Sequence, residues 1–328
     1  MLNTPTGAAG LSIVSNSLLI AIKLAAGLLS GSISIISEAI HSGMDLLASL
    51  IAFFSLRIAG APADEKHPFG HGKFENVSGA LEAGLIFAAA VFIVLEAMAR
   101  IRTGVTVRFA EIGIVVMAVS VVMNLAVSRY LLRMARIHDS LALEADARHL
   151  TTDVFTSLGV LVGLGIVRLT GLHWLDPMVA IGVALLITKT AADLTRKAMA
   201  GLVDTSLPPK ELDIVRAAVS EHAGEIIGFH ELRSRKAGKE RYIDLHLVFA
   251  KDAHVEEAHR LCDHMEADVR TKLPNSNVTI HIEPCPLDFP ECPAKCPLSR
   301  DNKCQPPESD IRNSPSARLA SGPSGKMV

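Results

Sequence analysis

The stretch Ser37-Glu38-Ala39-Ile40-His41-Ser42-Gly43-Met44-Asp45 lies inside a long apolar run, from about Ile33 to Leu56. Within it, His41 and Asp45 are four residues apart, so both side chains fall on one face of a helix. Ionisable groups surrounded by hydrocarbon are costly and by default mark a functional site. The run therefore predicts a membrane-spanning helix that carries a functional pair.

The same spacing recurs as His149 and Asp153, at the start of another apolar run. Two facing pairs would supply two imidazoles and two carboxylates, a set that suits a tetrahedral divalent metal such as Zn²⁺. A buried ion pair that holds two helices together is the alternative, and two matched pairs in separate runs disfavour it. The sequence thus predicts one metal site shared by two membrane helices.

The 328 residues divide into an apolar part and a more polar part, because nearly all long apolar runs lie before about residue 200. This division predicts a membrane domain followed by a soluble domain. The formal net charge of −2 argues against a nucleic-acid partner. No Lys or Arg precedes Lys23, so we expect no cleavable signal peptide.

Six stretches approach the length of about 20 mostly apolar residues that a bilayer-spanning helix needs. The fifth is polar at its start, and such a helix can lie in a membrane only if its polar face looks inward. Six spans put both termini on one side, and the distribution of Lys and Arg favours the cytoplasm for that side. The stretches are about 10–30, 33–56, 77–98, 112–132, 143–167 and 178–194.

The connection after the second span carries Asp64, His67 and His71. A compact loop could bring these three side chains to one metal ion. A polar loop with incidental histidines is the alternative, because histidine is common in loops.

From about residue 206 the pattern predicts a two-layer α+β domain with the order αββαβ. The strand Glu240–Phe249 alternates so that His246 points away from the apolar face, and His281 and Glu283 do the same in the last strand. These side chains predict either a second metal site or a merely polar sheet face. The helix before the last strand has a predicted buried stripe of Val255, Ala258, Cys262, Met265 and Val269.

With these residues in view, the chain from about residue 8 to residue 285 resembles the cation diffusion facilitator family, in its bacterial zinc and ferrous-iron efflux branch. The resemblance rests on the two His-x-x-x-Asp pairs, on Gly70-His71-Gly72-Lys73 and on Ile280-His281-Ile282-Glu283-Pro284. It implies a bundle of six transmembrane helices (1–204) followed by a cytoplasmic, metallochaperone-like α+β domain (205–284) that dimerises. It further implies a transport site of His41, Asp45, His149 and Asp153, a lesser loop site of Asp64, His67 and His71, a cytoplasmic site of His230, His246, His259, His281 and Glu283, and a charge pair of Lys73 with Asp204.

The expected function is proton-coupled antiport that exports divalent cations, Zn²⁺ before others, across a bacterial inner membrane. Two histidines in the transport site favour Zn²⁺ over Mn²⁺ or Mg²⁺, whereas Fe²⁺, Cd²⁺, Co²⁺ and Ni²⁺ stay open as substrates. The expected partners are a second copy of the chain, the lipid bilayer and protons, with Zn²⁺ also as a regulatory ligand and no organic cofactor. A metal sensor or scaffold without net flux is the alternative; a metalloenzyme has no support, because no motif supplies a nucleophile and base around an open metal position.

Beyond the α+β domain, the segment 285–304 contains four cysteines, and residues 305–328 have the composition of a disordered tail. The cysteine spacing is not that of a paired C-x-x-C site, although four thiols could hold Zn²⁺ or an iron–sulfur cluster. These possible extra ligands are Cys285, Cys292, Cys296 and Cys304.

Overall fold

The structure, a computed structural model, describes residues 3–30, 33–103, 111–170 and 175–285. Within these ranges it describes only the backbone of residues 27, 30, 33–38, 40–41, 100, 103, 111–114, 117, 160–170 and 175–177. The chain forms two compact units that divide between Val203 and Asp204.

The first unit consists of long helices, and the described residues contain the six that the apolar stretches predict. Five of them are long and apolar enough to cross a membrane by length and composition. Their surfaces carry exposed large apolar side chains, such as Leu29, Phe92 and Leu185, as expected of helices solvated by lipid. The helices are α1 (Pro5–Ser30), α2 (Ile33–Ala59), α3 (Lys73–Thr103), α4 (Glu111–His138), α5 (Leu141–Thr170) and α6 (Leu175–Leu202).

Helix α5 lies at the centre of the bundle, where it contacts α1, α2, α3, α4 and α6. Its 30 residues give a length of about 45 Å, more than the roughly 30 Å of a hydrocarbon core. Its polar first half is packed inside protein: Asp146, Ala147 and Leu150 are fully buried. The inward-facing polar helix predicted from the sequence is confirmed.

The second unit has the predicted order αββαβ, with a three-stranded sheet in the order β1-β2-β3. Strands β1 and β2 are antiparallel and β2 and β3 are parallel, so α8 makes the crossover between them. The two helices bury one sheet face in a core around Ile243, Leu245 and Met265. The elements are α7 (Pro209–Ser220), β1 (Gly228–Ala237), β2 (Glu240–Phe249), α8 (Val255–Lys272) and β3 (Ser276–Pro284).

Two details of this unit were not predicted: the exposure of Val255 and a bulge in β1. Val255 was predicted to belong to the buried stripe of α8, but it is the first helical residue and is 81% exposed. The pairing of β1 with β2 shifts register between His230 and Arg233, and Glu231 within this bulge has a φ of +49°. A bulge of this kind bends a strand and changes the direction of its side chains.

Candidate metal-binding sites

The predicted transport site is formed by side chains of α2 and α5. The side chains of Asp45, His149 and Asp153 each offer a ligand atom, and these atoms lie within 4.8 Å of one another. His149 Nε2 is 3.3 Å from Asp45 Oδ1, and both residues are buried. The backbone of His41 lies in α2, one turn before Asp45, and its side chain lies outside the described residues.

The second ring nitrogen of His149, Nδ1, is available to bind a metal ion. Nδ1 is buried and has no hydrogen-bond partner in the described part of the chain. Buried polar atoms are almost always hydrogen-bonded, so a buried ring nitrogen without a partner indicates a possible functional role. Neutral imidazole nitrogens and carboxylate oxygens form a donor set that Zn²⁺ accepts.

A network of short polar side chains holds Asp45 from behind. Asn16 donates a hydrogen bond from Nδ2 to the backbone carbonyl of Asp45 over 3.3 Å and another to Ser49 Oγ over 2.9 Å. Ser49 in turn donates to Asp146 Oδ1 over 3.0 Å. The network connects α1, α2 and α5 and fixes the turn of α2 that carries Asp45, and hydrogen bonds behind a metal ligand help to set its orientation.

Sequence reasoning missed one buried acidic residue near this site. Glu82, on α3, is fully buried; its Oε1 accepts a hydrogen bond from Ser78, and its Oε2 has no hydrogen-bond partner among the described residues. An isolated carboxyl inside an apolar run is a signal of function, and the run 77–98 contains this one. Asp146 belongs to the polar start of the fifth predicted span, but its hydrogen bond with Ser49 of α2 was not predicted.

The predicted loop residues also come together. Asp64, His67 and His71 have ligand atoms within 4.8 Å of one another, on the exposed connection between α2 and α3. Asp64 Oδ1 is 3.1 Å from His67 Nδ1, and Asp64 Oδ2 is 3.4 Å from His71 Nε2. The backbone N–H of His67 donates to the Asp64 carboxylate and holds the pKa of that carboxyl below its ordinary value, so it is ionised at neutral pH.

Three histidines of the predicted cytoplasmic site, His230, His246 and His281, form a row across the three strands of the sheet. We call this set the histidine row. His230 on β1 pairs in register with His246 on β2, which pairs with His281 on β3. The ring centroids of His230 and His246 are 5.2 Å apart, and those of His246 and His281 are 4.8 Å apart. All three project from the sheet face opposite the core, because their neighbours Leu245 and Leu247 are buried in it.

Glu283 joins the histidines of this row. Its Oε2 is 2.9 Å from His230 Nε2 and its Oε1 is 2.8 Å from His246 Nδ1. Burial opposes ionisation of this carboxyl, but the hydrogen bonds from His230 and His246 outweigh it and hold its pKa below the ordinary value. His281 Nε2 is farther away, 3.7 Å from Glu283 Oε1.

Two predicted ligands are placed elsewhere in this unit. His259 is 71% exposed on α8, with Nε2 3.8 Å from Asp263 Oδ2, and the structure does not bring it to the histidine row. The reason is that α8 packs on the core face of the sheet, opposite the row. Cys285 is buried after β3, and Cys292, Cys296 and Cys304 lie outside the described residues.

The bulge in β1 adds a carboxylate that the sequence did not suggest. Glu231 Oε2 lies 3.7 Å from His246 Nε2 and is also paired with Arg233. Regular alternation would have put Glu231 on the opposite face from His230. No local pattern predicts the bulge, because it depends on how β1 pairs with β2.

The two residues of the predicted charge pair, Lys73 and Asp204, belong to different units of the chain. Lys73 is the first residue of α3 in the first unit. Asp204 begins the second unit, where its Oδ1 is 3.5 Å from Arg235 Nη1. The pairing of Lys73 with Asp204 stays a prediction.

A bundle of helices apolar enough to cross a membrane, with a buried cluster of carboxylates and imidazole, followed by an α+β unit with a row of histidines, is the architecture expected of a membrane transporter of metal cations. Residues 10–203 match the family model described as the cation efflux transmembrane domain, and residues 207–285 match that of the cytoplasmic domain of cation efflux proteins. The chain belongs to this family, the cation diffusion facilitators, and is an integral membrane cation efflux transporter.

Individual relatives agree with this assignment. An uncharacterised transporter of Synechocystis is 35% identical over 287 residues, which cover 85% of this chain and 92% of the relative. The cation-efflux pump FieF of Cronobacter sakazakii is 32% identical over 82% of this chain and 89% of its own. A solved structure of a candidate zinc transporter, CzrB, in its zinc form is 41% identical over 25% of this chain and 93% of its own, with a TM-score of 0.24.

Proposed function

We propose that this transporter exports divalent cations, and Zn²⁺ in particular, from the cytoplasm in exchange for protons. The observation that carries the proposal is the convergence of Asp45, His149 and Asp153 within 4.8 Å inside the helix bundle. Two carboxylates neutralise the charge of a divalent cation, and imidazole supplies the softer ligand that Zn²⁺ accepts. His41, one turn from Asp45, is the fourth ligand of the proposed site.

Proton coupling follows from the chemistry of these ligands. An imidazole nitrogen binds metal only when it carries no proton, so protons and metal compete for the same atoms. If the bundle alternates between inward-open and outward-open states with different proton affinities, an inward proton gradient drives the metal out. Asp45 and Asp153 then act as charge-neutralising ligands, and His41 and His149 are the ligands that exchange protons.

The choice of Zn²⁺ rests on ligand type. Two imidazoles with two carboxylates disfavour Mn²⁺ and Mg²⁺, which prefer oxygen alone. Fe²⁺, Cd²⁺, Co²⁺ and Ni²⁺ are the alternative substrates, and a flux panel separates them.

The histidine row is proposed as a regulatory metal site in a homodimer. Glu283, His230 and His246 have ligand atoms within 4.8 Å of one another, as an ion would need. The family model that residues 207–285 match is named ZT_dimer, which supports a second copy as the partner. Asp64, His67 and His71 are proposed as a further, exposed metal site.

The proposed location is the inner membrane of a bacterium, with both termini in the cytoplasm. The relative FieF comes from bacteria, and the family model matching the second unit describes a cytoplasmic domain. An even number of spans places the N-terminus on the same side as that domain.

The test is metal flux in vesicles reconstituted with the full chain. With an imposed pH gradient, we expect Zn²⁺ flux from wild type, none from Asp153→Ala, and wild-type flux from Asp193→Ala. Asp193 is a matched control because its carboxylate is paired with Arg196 on α6, away from the ligands. Wild-type-like flux from Asp153→Ala would exclude this site.

The same assay decides the alternative of a sensor or scaffold. A chain that binds Zn²⁺ at the histidine row yet carries no cation of the panel, with or without a pH gradient, is not a transporter in its own right. Flux that persists at equal pH but does not respond to a gradient would keep efflux and reject antiport.

A further inference from the structure

The last three turns of α4 present three arginines on one face. Arg129, Arg133 and Arg136 are spaced by four and three residues, and together with Leu132 and Ile137 they line a groove of about 470 Å³. We call this groove the arginine groove. The three arginines are exposed, and none of them has an ion-pair or side-chain hydrogen-bond partner in the described part of the chain. Three uncompensated guanidinium groups in one place create a site for an anion, and their planar forks suit phosphate.

The arginine groove continues an exposed apolar stripe of the same helix. Val115, Val119 and Val122 are 63%, 41% and 67% exposed. At 100° per residue, these three valines and Arg133 fall within about 60° of one another around the helix axis. The rise from Val115 to Arg133 is about 27 Å, close to the roughly 30 Å thickness of a hydrocarbon core. The valines themselves cover about 10 Å of this rise, and Val122 lies about 16 Å from Arg133 along the helix axis. The valine stripe can therefore face lipid tails while the arginines lie at the level of the headgroups.

The end of α4 can be assigned to one side of the membrane. His138 Nε2 is 2.9 Å from the backbone carbonyl of Asn3, so the arginine groove lies on the side of the N-terminus. With the proposed orientation, this is the cytoplasmic leaflet. Anionic lipids in that leaflet attract basic residues near the membrane surface.

We propose that the arginine groove binds the phosphate of an anionic phospholipid, whose acyl chains lie along the valine stripe. Charge argues against a second copy of this chain, because a two-fold contact on this face would bring three arginines against three arginines. The aliphatic Leu132 and Ile137 within the groove, and the stripe below it, favour a lipid over a free phosphate ion.

The test uses the full chain in neutral detergent micelles. Binding of phosphatidylglycerol, phosphatidylethanolamine and inorganic phosphate is measured by native mass spectrometry and by the shift in melting temperature. The variants are Arg133→Gln, the triple variant Arg129→Gln/Arg133→Gln/Arg136→Gln, and the control Arg57→Gln. Arg57 is a suitable control because it is an exposed arginine in the last turn of α2, which ends on the same side of the bundle as α4.

We expect phosphatidylglycerol to bind more tightly than phosphatidylethanolamine, and inorganic phosphate not to compete with it. Each basic residue near a membrane contributes a factor of about five, so Arg133→Gln should weaken phosphatidylglycerol binding about 5-fold and the triple variant roughly 100-fold. Arg57→Gln should leave binding unchanged. Without added lipid, all variants should melt cooperatively at a temperature close to that of wild type, which shows that the membrane unit folds in each of them.

Three results would overturn the proposal. The first is phosphatidylglycerol binding by the triple variant within 2-fold of wild type. The second is competition by inorganic phosphate, which would make the groove an aqueous anion site. The third is a change in oligomeric state in the triple variant with lipid binding intact, which would make this face a contact between copies.

Discussion

His149 Nε2 lies 3.3 Å from Asp45 Oδ1, and this contact joins α5 to α2 although the two residues are 104 positions apart in the chain. Asp153 Oδ and Asp45 Oδ flank the same imidazole within the 4.8 Å limit of the set. A site of this kind exists only when α2 and α5 are packed together, so its affinity for metal reports on the geometry of the bundle.

We therefore expect Asp45→Asn to weaken Zn²⁺ binding in the membrane unit by about 100-fold, because it removes a charged ligand from a buried site. Equilibrium Zn²⁺ titration would measure this in a chain whose histidine row is disabled by His246→Ala and Glu283→Ala and whose loop site is disabled by Asp64→Ala and His67→Ala. An affinity unchanged by Asp45→Asn would show that the carboxylate is not a ligand.

Glu283→Gln should weaken metal binding at the histidine row by a similar factor of about 100, because the carboxylate bridges His230 and His246. Calorimetric titration of the full chain in detergent is the measurement, with the exposed Glu257→Gln on α8 as the control. Equal losses in both variants would point to a general effect of charge rather than to coordination.

The end of α7 offers a pH-dependent contact outside the membrane. His222 lies 2.9 Å from Asp268 and 3.2 Å from Glu225, and the hydrogen bond with Asp268, followed by that with Glu225, raises the pKa of His222 above its ordinary 6.5. A raised pKa means that the folded state holds the proton more tightly than the unfolded state. The stabilisation is complete below pH 6.5 and is lost as the pH rises through the higher folded value.

The backbone amides of α7 and α8 should therefore be more strongly protected from hydrogen exchange at pH 6 than at pH 8.5, after correction for intrinsic exchange rates. His222→Gln should remove this difference. The low pKa of Asp268 does not disturb the test, because that carboxylate stays ionised over the whole range. Identical pH dependence in wild type and variant would show that His222 does not link the two helices.

Arg241 connects β2 to α7 through two hydrogen bonds from its guanidinium to Glu211, of 2.9 Å and 2.8 Å. The pair is largely buried, so Arg241→Ala leaves a poorly solvated carboxylate and should cost about 2 kcal/mol of stability of this unit. Arg216→Ala breaks another arginine–carboxylate pair, with Asp213 on the exposed face of α7, and should cost about 0.5 kcal/mol or less. Scanning calorimetry would compare the two; equal losses would contradict the difference in burial.

Helices α5 and α6 approach closely at Gly159, where an added Cβ would lie 2.7 Å from Val183 Cγ2. Gly159→Ala should destabilise the bundle by about 1–3 kcal/mol, as overpacking does. Val183→Ala in the same chain should restore most of the loss, and Gly182→Ala should cost nothing, because its Cβ would meet no atom within 4 Å. Thermal unfolding in detergent measures all three, and a tolerated Gly159→Ala would mean that the helices can separate freely here.

The sequence predicted the helices and strands well because each has a strong period or a long apolar run. It ended α4 near Leu132 and α6 near Leu194, whereas the helices reach His138 and Leu202. The reason is that the last turns lie beyond the apolar run, and hydropathy does not register polar helical turns.

The candidate sites were predictable where ligands share an element and less so where they do not. The spacing of His149 and Asp153 fixes their common face, but only packing shows that Asp45 meets them. Glu82 was hidden by the apolar residues around it, and the turn of Glu231 toward His246 comes from a bulge set by strand pairing. His259 was grouped with the row by the family resemblance, although its helix covers the other sheet face.

The bridging position of Glu283 also sets a time at which the histidine row can form. The carboxylate is encoded 37 residues after His246, on the strand that completes the sheet. While the chain is being synthesised, His230 and His246 emerge as a hairpin that lacks both this carboxylate and His281. At this proposed metal site, capture would therefore wait until β3 has left the ribosome and paired with β2, so that a half-made domain would not hold the ion.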